Sequence, residues 1–288
     1  MLKIEHRGCG DILTNPPREL ASWLWDGYIR ENIVAMLAGH SESGKGLFSL
    51  QLAVCVVAAK SFLGRKVKNG KVLYLSAEDD EEELQARVYQ IVKGLGLEQG
   101  LLGNLELRST IDMQCAPALL NDKMQPEPLL IALIDYCREN KPALIVIDTF
   151  AAFGPHSDTT KSSIVTKFLT TLAALLPNTT ILFTLHLRKP SNLDGGRRPS
   201  QHDIRDSSAI VASARASLII HDNCITLPNC NGRHRTATPV LAEDELRLEM
   251  KQGWWTIDNQ EKAVKTGNAS KQQIEKGGKK CNQLPKNI

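Results

Sequence analysis

The chain has 288 residues, 42% of them hydrophobic and 23% charged, with a formal net charge of +3. That length can bury a full-sized core, and a charge balance this even does not by itself argue for nucleic acid. The first ten residues, MLKIEHRGCG, carry charge where a secretion signal needs an apolar core, and the longest apolar stretch, near Leu50 to Ala59, is far short of a membrane span. Seven scattered cysteines without a CxxC pair fit reduced thiols, so a cytoplasmic protein is expected.

Residues 1–30 read as an N-terminal segment, with Asn15-Pro16-Pro17 as a breaker and an amphipathic piece around Trp23 and Trp25. IVAMLAG (33–39) is a short apolar run closed by glycine, which predicts a buried strand, and Leu47 to Ala59 predicts a buried helix. After Gly70, KVLYLSAED predicts a second strand, followed by a helix from about Asp80 to Lys93 whose acidic start suits the helix dipole. Residues 100–127 carry no strong signal. Pro128 to Asn140 reads as an amphipathic helix, ALIVIDT (143–149) as a third strand, Lys161 to Leu176 as a helix and TTILFTLHL (179–187) as a fourth strand. SLIIHD, CITLPN and WWTID read as short strands at the sheet edge. From Asn259 apolar residues thin out and lysines accumulate. Buried strands alternating with helices define an α/β protein with a mostly parallel sheet. The expected organisation is a domain over 31–258, preceded by the segment 1–30 and followed by a polar tail over 259–288.

Ligands of such sheets bind beyond the C-terminal strand ends. The first strand ends in Gly39-His40-Ser41-Glu42-Ser43-Gly44-Lys45, which is G-x-x-x-x-G-K between a strand and a helix. There, glycines let backbone N–H groups face phosphate oxygens and the lysine neutralises the β and γ charges. The second strand ends in Glu78 and Asp79, one strand from the phosphate loop. Glu78 can polarise a water toward the γ-phosphate, or belong to an ordinary acidic helix start. Asp148 ends the third strand as a magnesium partner, direct or through water, or as a solvated loop carboxylate, and His186 ends the fourth as a γ-phosphate sensor or a satisfied polar residue. Gly46 stands where a hydroxyl residue is expected, which predicts a water in that magnesium position and a slower chemical step.

Behind His186, LRKPSNLDGGRRPSQHDIRDSS has no apolar periodicity and carries Arg188, Lys189, Arg197, Arg198 and Arg205. A mobile basic loop of this kind suits phosphate backbones, against the plainer reading of a solvated loop. Without interleaved aromatic residues it offers no base-specific recognition. His221, Cys224, Cys230 and His234 match no standard zinc spacing, and buried thiols with surface imidazoles are the simpler reading.

Together these stretches resemble a known family. WLWDGYIRENIVAMLAGHSESGKG, LYLSAED, LIVIDT, FTLHLRK and IRDSSAIVASARA, in that order, are similar to the RecA-like ATPases of the hexameric helicase group, and to the small plasmid RepA-type helicases in particular. The resemblance spans about Trp23 to Gly253 and implies a RecA-like fold binding ATP and Mg2+. It would place nucleotide on Gly39, His40, Ser41, Glu42, Ser43, Gly44, Lys45 and Gly46, with Glu78 as general base, Asp148 holding magnesium and His186 coupling the γ-phosphate to the loop behind it. It would make Arg205, or alternatively Arg215, an arginine finger reaching a neighbouring subunit, which implies a homo-oligomeric, hexameric ring. Single-stranded DNA would meet the loops at about 150–161 and 188–205, through Arg188, Lys189, Arg197 and Arg198. The chain departs from the family at Gly46 and at Asn229, where a basic residue is usual, although Arg233 and Arg235 lie close by. The expected function is an ATP-driven single-strand DNA translocase or helicase. The alternatives are a nucleotide-gated assembly protein with impaired hydrolysis and a RecA-like recombination or regulatory ATPase.

Overall fold

A computed structural model describes residues 22–155, 162–188, 199–200, 203–204, 210, 213–229 and 245–257. Among them a small hairpin, β1 (Trp23–Trp25) with β2 (Ile29–Arg30), precedes the first long strand, β3 (Val34–Gly39). The chain then alternates: α1 (Lys45–Val57), β4 (Val72–Ser76), α2 (Glu81–Leu95), β5 (Leu105–Ser109), α3 (Pro128–Asn140), β6 (Leu144–Asp148), α4 (Phe150–Phe153), α5 (Ser162–Leu175) and β7 (Thr180–His186). It closes with β8 (Ala216–His221), β9 (Cys224–Asn229), β10 (Glu245–Lys251) and β11 (Trp254–Ile257). The main sheet has the order β11-β10-β9-β8-β3-β7-β6-β4-β5. Pairings from β8 through β5 are parallel, while β8-β9, β9-β10 and β10-β11 are antiparallel.

The central strands are apolar on both faces because both faces are covered. Ala35, Leu37, Val72, Tyr74, Leu144, Val146 and Leu182 face a core shared with α1 and α2. Their neighbours Met36, Ala38, Leu73, Leu75, Ile145, Ile147 and Phe183 face the core on the side of α5. This period of two sends every second side chain to the opposite layer.

Local chemistry sets the helix ends. Asp80 caps α2 by accepting the Glu83 N–H at 2.8 Å, three glutamates occupy its first turn, and Gly96 ends it in a left-handed conformation at φ 62°. Pro128 opens α3, where its missing N–H costs nothing.

Two features were not legible in the chain. The stretch 100–127 contains β5, an edge strand whose mixed Leu-Glu-Leu-Arg-Ser pattern gives a weak signal, and ELRLEMK forms β10. The β10–β11 hairpin packs over α1: the Gln51 side chain donates to the Trp255 carbonyl at 2.8 Å and accepts from its N–H at 2.6 Å, in a buried two-point clamp. Against Phe48 in the first turn of α1, Trp25 packs edge-on with ring centroids 5.8 Å apart, while it stacks on Tyr28 at 3.9 Å and donates through Nε1 to the Phe62 carbonyl.

Candidate functional site

The loop after β3 closes tightly. A Cβ on Gly39 would collide with Ser43 Oγ and with the β8 residue Ile220, so only glycine lets the loop turn there. Gly44 caps α1 at φ 81°, and a Cβ on it would stand 2.6 Å from the Trp255 ring. The loop's shape therefore depends on glycine on both counts. Lys45, the first residue of α1, is 6% exposed and donates from Nζ to the His40 carbonyl at 2.7 Å. Burial pulls its pKa below the ordinary lysine value, while Asp148 and then Glu78 pull the other way.

Asp148 ends β6 and is 5% exposed, yet each carboxylate oxygen has a hydroxyl donor. Tyr74, buried in β4, donates to Oδ2 at 2.7 Å, and Thr184 of β7 donates to Oδ1. Ser49 of α1 lies 3.2 Å from the Tyr74 hydroxyl and donates to the Gly46 carbonyl at 3.0 Å. Burial, and next the Asp148 charge, push the Tyr74 phenol well up, so it stays a donor. This network fixes the carboxylate beside the start of α1. A Cβ on Gly46 would stand 3.4 Å from Asp148 Oδ2.

Glu78 lies just past β4, half-exposed, with Oε1 accepting from Thr149 Oγ1 at 3.2 Å and 3.7 Å from His186 Nε2. The neighbouring Asp79 turns the other way: Arg87 of α2 grips it with two N–H groups, at 2.7 and 3.1 Å, and grips Glu83 at 2.6 Å. Burial pushes the Asp79 carboxyl up despite Arg87. Burial also opposes the Arg87 charge, yet Asp79 and Glu83 hold its guanidinium above the usual arginine value.

Lys45, Gly46, Glu78, Arg87, Asp148 and His186 line one open cleft of about 540 Å³, to which Ser41, Glu42 and Gly44 also contribute. One expectation is corrected. β4 is three places from β3 in the sheet, not one, because β7 and β6 insert between them. Glu78 still reaches the cleft, since α1 crosses over both inserted strands on its way to β4. Of the residues in and beneath the cleft, sequence reasoning missed Tyr74, Thr184 and Arg87. The first two carried a signal: a hydroxyl within a buried apolar strand must find a partner.

Arg188 is committed internally, with Nε donating to Asp203 at 2.8 Å and NH2 at 2.7 Å from the same carboxylate. Arg215 is exposed beside the start of β8, and its N–H donates to the Val34 carbonyl, which puts it at the opposite end of the strands from the cleft. Lys189, Arg197, Arg198, Arg205, Cys230, Arg233, His234 and Arg235 lie outside the described residues. Of the zinc candidates, His221 and Cys224 are buried, and no metal-binding group of three or more His, Cys, Asp or Glu occurs among the described residues. No helix there is long and apolar enough to cross a membrane.

A parallel sheet with a glycine loop, a buried lysine and a strand-end aspartate on one cleft defines a RecA-like P-loop NTPase. The sequence pattern of the AAA domain family matches residues 8–192, well over half of the chain, and the chain belongs to that family as an AAA-type ATPase domain. A solved structure of an ATPase domain matches with a TM-score of 0.54 at 16% identity, covering 79% of this chain and 86% of that one, which is a likeness of fold. No curated protein matches the chain.

Proposed function

We propose that the chain is the ATPase of a ring-forming single-strand DNA translocase or helicase of the kind used in plasmid or phage replication. The observation that carries this reading is the contact of His186 with Glu78 in the Lys45 cleft, 3.7 Å between Nε2 and Oε1. Glu78 is the general base for the attacking water, and Thr149 holds its Oε1 from the other side. Because His186 ends β7 immediately before Leu187 and Arg188, a change at the γ-phosphate that moves His186 is passed into the basic segment behind it. Lys45 leaves the His40 carbonyl for the phosphates, and Gly39 to Gly46 supply backbone N–H groups to them.

The residues present suit magnesium. Asp148 is a buried carboxylate oriented by two neutral hydroxyls and would hold the ion, and with no side chain at 46 a water would take the position of the missing hydroxyl. Bound magnesium supplies charge neutralisation on the β- and γ-phosphate oxygens. Arg205, with Arg215 as the alternative, serves a neighbouring subunit as the finger, which makes the active unit a homo-oligomeric, hexameric ring. Single-stranded DNA is taken by Lys189, Arg197 and Arg198, with Arg188 anchoring the segment on Asp203.

Hydrolysis measured with and without single-stranded DNA tests the reading. Stimulation that Lys45→Ala and Glu78→Gln abolish is expected, with Glu78→Gln still binding ATP. Robust hydrolysis indifferent to nucleic acid would remove the helicase assignment. A second reading, a nucleotide-gated assembly protein with impaired turnover, is favoured by Gly46 and predicts binding with little hydrolysis under either condition.

A further inference from the structure

The Gly46 side of the cleft holds a cation that the phosphate-loop motif does not account for. Arg87 lines the cleft from α2, anchored by Asp79 and Glu83. Asp79 is itself seated, its N–H donating to Ser76 Oγ at 2.9 Å. These bonds occupy one N–H of the Arg87 NH1 nitrogen and leave it a second. NH1 lies 3.7 Å from where a Cβ on Gly46 would stand, with Asp148 Oδ2 at 3.4 Å and the Tyr74 hydroxyl at 3.9 Å from the same point. The space that a serine or threonine side chain would fill is therefore within contact of both a guanidinium and a carboxylate. Glycine leaves it open.

We propose that Arg87 binds the phosphate chain of the nucleotide through the opening left by Gly46, so that nucleotide binding in this chain depends only weakly on a divalent cation. The inference rests on the reading of the cleft as an ATP site. A planar guanidinium suits the task, since it keeps two N–H groups on Asp79 while a third meets a phosphate oxygen, which a lysine cannot do from one anchored position. It also screens Asp79 and Glu83, whose charges would otherwise repel the phosphates. Arg87 acts here as a binding residue on the ground-state nucleotide, separate from the water-activating role of Glu78.

Calorimetric titration of ATP and of AMP into the whole chain, in magnesium and in EDTA, separates this from a merely structural ion pair. Removing magnesium should weaken ATP binding to the wild type by less than about tenfold. Arg87→Gln should weaken ATP binding in EDTA by about 10- to 100-fold, in line with loss of one charge-assisted bond. AMP binding should be almost unchanged, and Arg87→Lys should recover part of the loss. Equal ATP affinity of wild type and Arg87→Gln in EDTA overturns the proposal, as does an equal loss for ATP and AMP accompanied by a lower melting temperature. Wild-type binding that needs magnesium outright also overturns it while leaving the ATP site standing. Absence of ATP binding under both conditions removes the site and the Arg87 role together.

Discussion

Gly46→Ser restores the residue that the phosphate loop ordinarily carries, and the structure sets what it should do. The new Cβ would stand 3.4 Å from Asp148 Oδ2, 3.7 Å from Arg87 NH1 and 3.9 Å from the Tyr74 hydroxyl, all ordinary contact distances. Gly46 is the second residue of α1 and is not among the glycines with positive φ, so serine fits without moving the backbone. Replacing a helical glycine should gain roughly 0.5 kcal/mol, or about 1–2 °C in melting temperature for a domain of this size. The added hydroxyl turns one water position of the magnesium shell into a protein ligand. Loss of even an outer-shell partner costs about 10- to 100-fold in metal affinity, so a gain of about tenfold is expected here. Magnesium titrated against ATP-loaded protein reads the affinity, and hydrolysis at limiting magnesium reads the consequence for rate. Unchanged magnesium affinity in a variant that melts as expected would refute the reasoning, because the hydroxyl would be present, unstrained and without effect.

Other residues of the cleft give further expectations. Tyr74→Phe deletes the 2.7 Å bond to Asp148 Oδ2 in a fully buried setting, which should cost about 1–3 kcal/mol in denaturant unfolding and also weaken magnesium binding. Gly44→Ala imposes a left-handed conformation on alanine and drives its Cβ against the Trp255 ring, and a loss of about 2–4 kcal/mol is expected in the same assay. The pH dependence of ATP binding should carry Lys45. Its proton is lost below the ordinary lysine value of 10.5 because burial penalises the charge, and the anionic phosphates bind the protonated form, so affinity should fall as pH rises through that lowered pKa. The linked stability runs the other way. In that window the unfolded chain holds the proton more tightly, so the nucleotide-free fold gains stability as pH rises, and Lys45→Met should abolish both trends.

How much of this was legible depends on range. The strands over 34–39, 72–76, 144–148 and 180–186 and the helix Pro128–Asn140 could be read from the chain because apolar runs, an N-terminal proline and acidic helix starts are local signals. The phosphate loop could be read for the same reason, since a strand, a glycine turn and a helix in direct succession are enough to define it. The edge strand β5 and the strand β10 were not legible, because a strand half-exposed to solvent needs no continuous apolar run.

The sequence by itself determined the fold class, the phosphate loop and the acidic and imidazole side chains at the strand ends. Each is specified by neighbours in the chain. Only the tertiary structure decided what surrounds Gly46. Its environment is assembled from α1, β4, α2 and β6, whose adjacency follows from crossovers that put β7 and β6 between β3 and β4. That packing aims the Tyr74 and Thr184 hydroxyls at Asp148 and sets the Arg87 guanidinium beside a missing side chain. A glycine in a motif records only that a group is absent, and the fold supplies the charges that face the space it leaves.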